Sequence, residues 1–334
     1  MATIKVFLPT YRRNHLLPRS IDSLLNQTFK DWVCEVHNDD PKDNFPEKYI
    51  SSLNDSRFTI INHTVNLGAV ATFNLMFEPA PDKYLCLLED DNWWENTFLE
   101  DMIAAMEQHT FCSVAFAGIN VWQEKEGHIW NKVSDTSRKM TTEKETSKLI
   151  SFPQFKHIFN YHHSNCSTII RNDLNLRNYK VPANIRVDFI EAIHERAFPH
   201  PLLFINKPLA NFALTIDTAR QNNLDGMYEH ALLLIDSFFK CIEPDNEYAQ
   251  KLWDDARQNK LRSYFRLLYT GLTCKSSRKL LKYATMYEWL TFVLYNIKYP
   301  LLLYRCANAK NTYGKLWENL LKNTRDRVNE SKIL

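Results

Sequence analysis

Glycine is scarce in this sequence of 334 residues, which contains only 6 of them. No two glycines stand close enough to form the G-x-G-x-x-G pattern that binds the pyrophosphate of a dinucleotide. A dinucleotide-dependent oxidoreductase is therefore excluded as an interpretation. The hydrophobic content of 45% and charged content of 24% are those of an ordinary globular protein with a sizeable core.

The chain also lacks a cysteine motif, a strong net charge and a long apolar run. Its 7 cysteines include no C-x-x-C pair, and several stand in apolar segments, so we expect reduced, buried thiols. A net charge of +2 gives no reason to expect nucleic acid as a partner. No apolar run reaches the roughly 18 to 20 residues of a membrane span, and no signal peptide precedes the first strand. We therefore expect a cytoplasmic protein.

Residues 1–110 alternate between short apolar runs and amphipathic segments. This rhythm predicts an α/β fold that is Rossmann-like, with a mostly parallel central sheet and helices on both faces. The predicted strands are Ile4–Leu8, Trp32–Val36, Phe58–Asn62 and Tyr84–Leu88. The predicted helices are His15–Gln27, Pro46–Leu53, Ala69–Phe77 and Asn96–Gln108.

The rhythm changes after residue 110. Ser134–Thr146 is polar and predicts a mobile loop, and from Met227 onward the pattern is helical. The chain thus divides at about residue 220, into a domain 1–220 with halves 1–110 and 111–220, and a C-terminal helical region 221–334. Predicted elements of the second half are strands Phe111–Ala117, Asn120–Glu124, His128–Lys132, Ser167–Ile170 and Leu202–Ile205, and a helix Ile185–Arg196.

The segment Glu89-Asp90-Asp91 directly follows the predicted strand Tyr84–Leu88. Ligands of open α/β sheets bind at the carboxyl ends of the strands. Neighbouring carboxylates repel one another unless a cation or protons hold them together. A divalent metal carrying a phosphorylated ligand would explain the cluster, and its hard oxygen atoms favour Mn²⁺ or Mg²⁺. A simpler interpretation is that Glu89, Asp90 and Asp91 form the acidic first turn of a helix and bind no metal.

Polar residues follow all four predicted strands of residues 1–110. Because parallel strands end at the same edge of a sheet, one crevice can collect these residues. In such a crevice an Asp can accept the imide N–H of uracil or thymine, and an arginine can meet phosphate charge. In strand order the residues are Pro9, Thr10, Tyr11, Arg12 and Arg13; Asp39 and Asp40; Asn66, Gly68 and Asn74; and Glu89, Asp90 and Asp91.

Two stretches resemble the opening of family 2 glycosyltransferases, enzymes of the GT-A fold. Val6–Arg13 reads Val-Phe-Leu-Pro-Thr-Tyr-Arg-Arg, and Leu24–Phe29 reads Leu-Leu-Asn-Gln-Thr-Phe. These are similar to the family's Pro-Thr-Tyr/Phe-Asn-Arg turn and its Leu-x-Gln-Thr/Ser-Tyr/Phe signature. The polar segments of the later strands follow in the family's order. The resemblance, which points to bacterial surface-polysaccharide glycosyltransferases, is specific over residues 1–110 and loose over 111–220.

The resemblance implies a metal-dependent transferase of the hexosyltransferase type. Its donor would be a nucleotide-diphosphate sugar, with a UDP-sugar favoured, and its acceptor a glycan or lipid-linked saccharide. The half 1–110 would bind the nucleotide and the half 111–220 the acceptor. The resemblance further implies that Asp39 binds the nucleobase, that Pro9 and Tyr11 line its pocket, that Asp91 is the main metal ligand and that Glu89 lies near the ribose or the metal.

Direct transfer with inversion also needs a general base that activates the acceptor hydroxyl. The family places a catalytic Asp at the start of a helix, which corresponds here to the segment Asn184–Glu191. Asp188 matches that Asp. Glu191 lies one helical turn further on the same predicted face and is the second candidate. The plainer interpretation of Asp188 is an acid in the first turn of a helix.

Three residues depart from the family pattern. Glu89 stands where Asp is usual, Arg12 where Asn is usual, and Val187 where Glu is usual. Arg12 can add a phosphate contact. The other two departures leave open a nucleotide-sugar-binding protein without turnover. A sugar-nucleotide nucleotidyltransferase is a further alternative, although the turn after the first strand lacks the glycine-rich loop of that class.

The C-terminal region combines a dense apolar segment, Trp289–Tyr304, with basic residues just upstream. Such a combination can rest on an anionic membrane surface. It can equally pack on the catalytic domain or on a second subunit of a homodimer. By analogy with the family, we expect peripheral contact with the inner face of the membrane. The basic residues are Lys275, Arg278, Lys279 and Lys282.

Overall fold

The computed structural model describes residues 3–134, 145–152, 163–173, 176–216, 225–242, 246–258 and 263–331. The chain separates into two compact units. The first contains the described residues up to Ser151 and those from His163 to Ile216. The second contains Phe152 and the described residues from Asp225 onward. The predicted boundary at residues 220 and 221 lies outside the described residues.

The first half of the first unit alternates strand and helix, which confirms the prediction of an α/β fold. Strands β1 to β4 pair in parallel. β1 lies between β2 and β4, and β3 pairs with the other edge of β2. Strands are β1 Ile4–Thr10, β2 Trp32–Asn38, β3 Phe58–Asn62, β4 Tyr84–Leu87 and the short β5 Trp93–Trp94. Helices are α1 Leu17–Leu25, α2 Phe45–Leu53, α3 Ala69–Phe73, continued by a 3₁₀ turn Asn74–Phe77, and α4 Phe98–Gln108.

The second half of this unit extends the same sheet with a mixed pattern. The strands are β6 Val114–Lys125, β7 Ile129–Ser134, β8 Ser147–Ile150, β9 Thr168–Arg171 and β10 Leu202–Leu214. The order along the sheet is β3-β2-β1-β4-β9-β6-β10-β5, with β7 on β6 and β8 on β10. β9 is antiparallel to both β4 and β6, whereas β6 and β10 are parallel. The parallel order that the sequence predicted therefore holds for β1 to β4, and pairs of both directions follow.

Two strands of the second half are longer than predicted. The predicted strands on either side of Gly118 form one continuous β6, and β10 runs past the predicted end at Ile205 and through Pro208. The register between the two strands shifts at Pro208, which lies opposite Gly118. A Cβ atom on Gly118 would stand 2.9 Å from the carbonyl oxygen of Lys207. Glycine thus allows close approach of a bulged neighbour strand, and it does not end β6.

The predicted helix Ile185–Arg196 is shorter and divided. Val187–Phe189 forms a 3₁₀ turn, and helix α5 begins afterwards at Ile190–Ala197. Asp188 and Glu191 therefore do not share the face of one helix, which corrects that expectation. Of the predicted polar loop, residues 135–144 lie outside the described residues, and β8 begins directly after it.

The buried side chains of β1 and β4 alternate between two hydrophobic clusters. Val6 and Leu8 join one cluster, while Phe7 joins the other. Successive residues of a strand point to opposite faces, so the sheet carries a core on each face. Because both faces are packed, the carboxyl ends of the strands are held in place, and the polar residues that follow them have fixed positions.

The second unit is helical in its described residues. Its longest buried side chains include Tyr228, Trp253 and Tyr269. No helix among the described residues is long and apolar enough to cross a membrane. All seven cysteines of the protein are free, which confirms the expected thiols. The helices are α6 Asp225–Ile242, α7 Asn246–Gln258, α8 Tyr264–Thr273, α9 Met286–Lys298, α10 Pro300–Thr312 and α11 Gly314–Ser331, with a 3₁₀ segment Lys275–Tyr283.

Candidate active site

A cavity of about 630 Å³ opens in the first unit where the parallel strands end. Its volume lies within the range of about 300–1,000 Å³ that is typical of small-molecule sites. The cavity brings together eleven of the candidate site residues that the sequence analysis singled out. They are Pro9, Thr10, Tyr11, Arg12, Arg13, Asp39, Asn66, Gly68, Glu89, Asp90 and Asp91.

Asp39 lies at the end of β2 and holds the loop before α3. One carboxylate oxygen accepts the backbone N–H of Leu67 at 2.7 Å. The other accepts the backbone N–H of Gly68 and the side-chain amide of Asn66, both at 3.0 Å. Gly68 has a φ of 82°, which is easily reached only by glycine. The predicted base-binding residue is thus buried and oriented by the loop that forms one wall of the cavity.

The turn after β1 forms the opposite wall. Arg12 adopts a left-handed φ of 56°, and its Nε donates to Asp40 at 2.7 Å. This hydrogen bond, together with the backbone N–H of Lys42, lowers the pKa of Asp40. The guanidinium also lies over the ring of Tyr11, with 4.9 Å between its central carbon and the ring centroid. Arg12 and Tyr11 remain exposed enough to contact a ligand in the cavity.

The three acids after β4 differ in their partners. Glu89 accepts the side-chain amide of Asn92 at 2.8 Å. Asp90 accepts the backbone N–H of Tyr11 and the guanidinium of Arg13, both at 3.3 Å. Asp91 accepts the same guanidinium at 2.7 Å. Asp90 therefore connects the acid cluster to the turn after β1, and Arg13 lies between two of the three carboxylates.

Burial makes negative charge costly in this cluster. It raises the pKa of Glu89 to about 8, and the charge of Asp91 adds to the effect. Burial and the charge of Asp91 also raise the pKa of Asp90, although Arg13 opposes this. Glu191 contributes a smaller part of the shift at Glu89, so its carboxylate faces the cluster.

The acid cluster fits a divalent cation. Its donors are carboxylate oxygens, the ligands preferred by Mg²⁺ and Mn²⁺. Burial is the main cause of the raised pKa values, followed by the charge of Asp91, and a bound cation would offset both effects on the ionised carboxylates. Asp91 and Glu89 both line the cavity and would hold the ion, with Arg13 adjacent to it.

An arginine stacked on two tryptophan rings holds the backbone of the acid cluster by a hydrogen bond. Arg19 of α1 donates to the backbone carbonyl of Asp91 at 2.7 Å. Its guanidinium lies 3.8 Å from the ring centroid of Trp93 and 4.1 Å from that of Trp130. Burial lowers the pKa of this guanidinium to about 10. The two tryptophans therefore fix a cation that orients the backbone of the acid segment.

The two candidate bases lie on the segment before and within α5. Asp188 accepts the guanidinium of Arg186 at 2.6 Å, and its side chain is 29% exposed. The preceding residue, Val187, lines the cavity, whereas Asp188 does not. Glu191 accepts the hydroxyl of Ser164 at 2.9 Å and the backbone N–H of Asn165 at 2.8 Å.

Asn74 was predicted to contact the nucleotide, but in the structure its side chain binds the backbone of another segment. Its side-chain amide donates to the carbonyl of Val181 at 2.8 Å and accepts the N–H of the same residue at 2.9 Å. Asn74 does not belong to the cavity lining. Its register one turn into the helical segment suggested a nucleotide contact, but both amide atoms fasten the segment that leads to Asp188.

Several lining residues were not among the site residues predicted from the sequence. Thr72 and Phe73 extend the α3 wall, and Val187, Phe212 and Ala213 come from the second half of the unit. Val187 stands in a 3₁₀ turn, and Phe212 and Ala213 lie on β10, whose pairing with β6 is remote in sequence. Trp93 lies outside this lining, and its place next to the acid cluster is a local signal by which its contact with Arg19 could have been found.

Comparisons with known proteins agree with this geometry. The model of glycosyl transferase family 2 matches residues 5–170. The chain is 29% identical over 103 residues to the UDP-Glc:alpha-D-GlcNAc-diphosphoundecaprenol beta-1,3-glucosyltransferase WfgD of Escherichia coli, covering 31% of this chain and 40% of the relative. It is 22% identical over 191 residues to WfaP of Escherichia coli, a glucosyltransferase of the same name, covering 57% of this chain and 68% of the relative. The chain thus spans less than half of WfgD.

Among solved structures, S. aureus TarS 1–349 in complex with UDP-GlcNAc has a similar fold. The TM-score is 0.57 at 14% identity, over 99% of this chain and 91% of TarS 1–349. The match shows the fold alone. The chain belongs to glycosyl transferase family 2 through residues 5–170, and its fold is GT-A. Both conclusions confirm the resemblance that the sequence suggested.

Proposed function

We propose that this protein is an inverting, metal-dependent hexosyltransferase. Its donor is a nucleotide-diphosphate sugar, with a UDP-sugar favoured, and its acceptor is a glycan or lipid-linked saccharide of surface-polysaccharide assembly. The observation that carries the proposal is the meeting of Asp39, the Tyr11–Arg13 turn and the Glu89–Asp91 cluster in one cavity. Separate sites for base, phosphate and cation are what a nucleotide-diphosphate sugar requires.

The chain's own residues suggest how the donor is held. Asp39 presents a fixed carboxylate to the imide of a uracil, in a wall formed with Pro9 and Tyr11. Arg12 and Arg13 supply positive charge to the diphosphate. A Mn²⁺ or Mg²⁺ ion held by Asp91 and Glu89 would neutralise the charge that develops on the leaving diphosphate. The relatives WfgD and WfaP are named as transferases that use UDP-Glc, which supports the choice of uracil.

Activation of the acceptor hydroxyl is assigned to Asp188, with Glu191 as the alternative. Asp188 stands beside the lining residue Val187 and is partly exposed, which supports a place for it next to the cavity. Glu191 faces the acid cluster but already fixes the Ser164–Asn165 backbone with its carboxylate. As a general base, the carboxylate accepts the proton of the hydroxyl while the oxygen attacks the sugar from the side opposite the diphosphate.

An apolar surface on α9 and α10 supports contact with a lipid bilayer. Large side chains are exposed on both helices, and four of them, Met286, Tyr287, Ile297 and Leu301, are at least 71% exposed. A surface of this kind rarely faces water without a partner. We define this α9–α10 face by Met286, Tyr287, Leu290, Val293, Leu294, Ile297, Leu301 and Tyr304.

The charges around this face favour an anionic membrane as the occupant. The only acidic residue of α9 and α10 is Glu288, which is buried and accepts the guanidinium of Arg257 at 2.8 Å. Lys298 adds positive charge on α9, whereas Arg305 of α10 is paired with Glu229 at 2.6 Å. Each basic residue near an anionic bilayer contributes about 1 kcal/mol. We therefore propose peripheral binding at the inner face of the membrane, where a lipid-linked acceptor would lie.

Turnover of the donor tests the enzymatic proposal. Nucleoside diphosphate release from UDP-, GDP- and dTDP-sugars is measured with and without Mn²⁺, first without acceptor, and a thermal-shift panel ranks donor binding. The proposal expects Mn²⁺-dependent release that is largest with one UDP-sugar. Binding without any release, with acceptor extracts as well as without, would instead identify a nucleotide-sugar-binding protein. Pyrophosphorolysis to a nucleoside triphosphate would identify a nucleotidyltransferase.

Vesicle sedimentation tests the membrane proposal. The wild-type protein is expected to sediment with anionic vesicles and less with zwitterionic ones. Leu294→Glu with Ile297→Glu should abolish this binding, while Leu272→Glu, an exposed leucine on α8, serves as the matched control. If the double variant sediments like wild type, or if it converts a solution dimer to a monomer without changing sedimentation, the occupant is not the membrane.

A further inference from the structure

Three potential metal ligands meet outside the lining of the donor cavity. His15 precedes α1, Glu124 stands near the end of β6, and His128 ends the short turn that leads to β7. One ligand atom of each lies within 4.8 Å of those of the other two. The sequence analysis did not bring these residues together, because the first is 109 positions from the second (124 minus 15).

The carboxylate of Glu124 is the fixed member of the group. It is buried, and its Oε2 accepts the backbone N–H of Ile216 at 3.0 Å. Its Oε1 lies 2.8 Å from Nδ1 of His128 and 3.8 Å from Nε2 of His15. A hydrogen bond to the non-ligating oxygen is the kind of contact that orients metal ligands.

The two histidines are gathered around this carboxylate while remaining open to water. Their side chains are 41% exposed for His15 and 64% for His128, and their ring centroids lie 4.4 Å apart. His128 adopts a left-handed φ of 57°, directly after Gly127 at 77°. A non-glycine residue in this region is held there by its surroundings. The backbone therefore aims the His128 ring at Glu124.

Ligand type and spacing select the metal. Two imidazoles and one carboxylate are a common ligand set of Zn²⁺, whereas Mg²⁺ prefers oxygen alone. In a tetrahedral zinc site, ligand atoms stand about 3.3 Å apart. The observed separations of 2.8 Å and 3.8 Å lie on either side of this value. Small rotations of two exposed rings would bring all three atoms to the metal.

We propose that His15, Glu124 and His128 form a zinc site with a fourth, water-facing position. The zinc joins the β6–β7 hairpin to the turn before α1, two residues beyond Arg13 of the acid cluster. A bound zinc would thus restrict the movement of the segment that carries Arg13 and Arg19. The site does not depend on the proposed donor chemistry, since none of its ligands lines the cavity.

Zinc binding to the full-length protein tests this site. After chelator treatment, zinc is titrated against a chromophoric competitor, and melting is followed with and without zinc. The background is Asp91→Asn, so that the acid cluster does not contribute. One tight zinc per chain and a rise in melting temperature are expected. His15→Gln and His128→Gln should each weaken binding by more than about 100-fold and remove the rise in melting temperature.

Both histidines are exposed, so their replacement leaves the fold intact. His109→Gln, at the end of α4, is the matched control and should bind zinc like the parent. Unchanged zinc affinity in His15→Gln and His128→Gln would overturn the proposal. So would the absence of tight zinc binding in the parent protein. A loss seen equally in His109→Gln would assign the binding to scattered surface histidines and would overturn it as well.

Discussion

The two ends of the candidate active site are built differently. At the nucleotide end, Asp39 and Asp90 are almost fully buried, and each receives at least two hydrogen bonds from residues of another segment. At the acceptor end, Asp188 lies in a short 3₁₀ turn, is partly exposed and pairs with Arg186 two residues away.

This difference indicates a division between a preorganised and an adjustable end. Burying carboxylates is costly, so the nucleotide end spends folding energy to hold its groups in place before the donor arrives. The acceptor end carries little of that cost, and its turn can shift when a bulky saccharide enters. Substitutions at the first end should therefore change donor binding, and those at the second should change turnover.

The largest expected effect is on turnover at the acceptor end. Asp188→Asn should lower kcat by roughly 10²–10⁴-fold, because a general base acts in the transition state. Donor affinity should stay nearly unchanged, since the amide keeps the shape of the carboxylate. Initial rates of transfer and donor titrations measure the two quantities separately.

Glu191→Gln is the control for this substitution. If Asp188→Asn keeps wild-type turnover while Glu191→Gln loses it, the base is Glu191, which faces the acid cluster. If both variants remain active, the base lies outside this segment, and the adjustable end of the comparison has been placed wrongly.

The next largest effect concerns the cation. Asp91→Asn should weaken Mn²⁺-supported binding of UDP by about 100-fold, because it removes the proposed main ligand. Binding measured in chelator should change far less, which separates the metal from other effects of the charge. Asp22→Asn, an exposed residue of α1 outside the cavity lining, is a matched surface control. An unchanged Mn²⁺ dependence in Asp91→Asn would show that the metal assignment is wrong.

A smaller effect is expected for base recognition. Asp39→Ala should weaken UDP binding by about 1–3 kcal/mol and reduce the preference for uridine over guanosine diphosphate. Because Asp39 also holds the loop before α3, Asn66→Ala is the necessary control. It removes a loop contact while keeping the carboxylate, so affinity should fall slightly and selectivity should persist. Equal selectivity in Asp39→Ala and wild type would reject the role in base recognition.

The nucleotide end was predictable from sequence because its signals are local. Each strand and the polar residues after it are adjacent in the chain, and parallel order places the strand ends together. Asp39 and the acid cluster were found in this way. What the local pattern did not show is the use of each carboxylate, for example that Asp90 accepts the N–H of Tyr11, 79 positions earlier.

The acceptor end was less predictable because its structure depends on remote pairing. Gly118 and Pro208 lie outside the predicted strands, yet they stand opposite each other at a register shift between two long strands. Asn74 suggested a ligand contact, but its amide fastens Val181, 107 positions away. A single sequence contains no local signal for such partners, so the strand lengths and the turn at Asp188 differed from prediction.

The smallest predicted effect is a pH dependence of stability at the preorganised end. The pKa of Glu89 is raised from its ordinary value of 4.5 to about 8, mainly by burial. Between these values the folded state holds more protons than the unfolded state, so the free energy of unfolding should fall as pH rises from about 5 to about 8.

Glu89→Gln removes this dependence, because the amide carries no charge at any pH in this range. In chelator at pH 8, the variant should be more stable than wild type by about 1–2 kcal/mol, and the two should converge near pH 5. The full shift would allow more, but the cavity admits water that screens the charge. Urea unfolding at several pH values measures the difference, with the exposed Glu107→Gln as control. Parallel curves for wild type and Glu89→Gln would mean that ionised Glu89 does not lower the free energy of unfolding. The contrast between a preorganised nucleotide end and an adjustable acceptor end would then have no energetic basis.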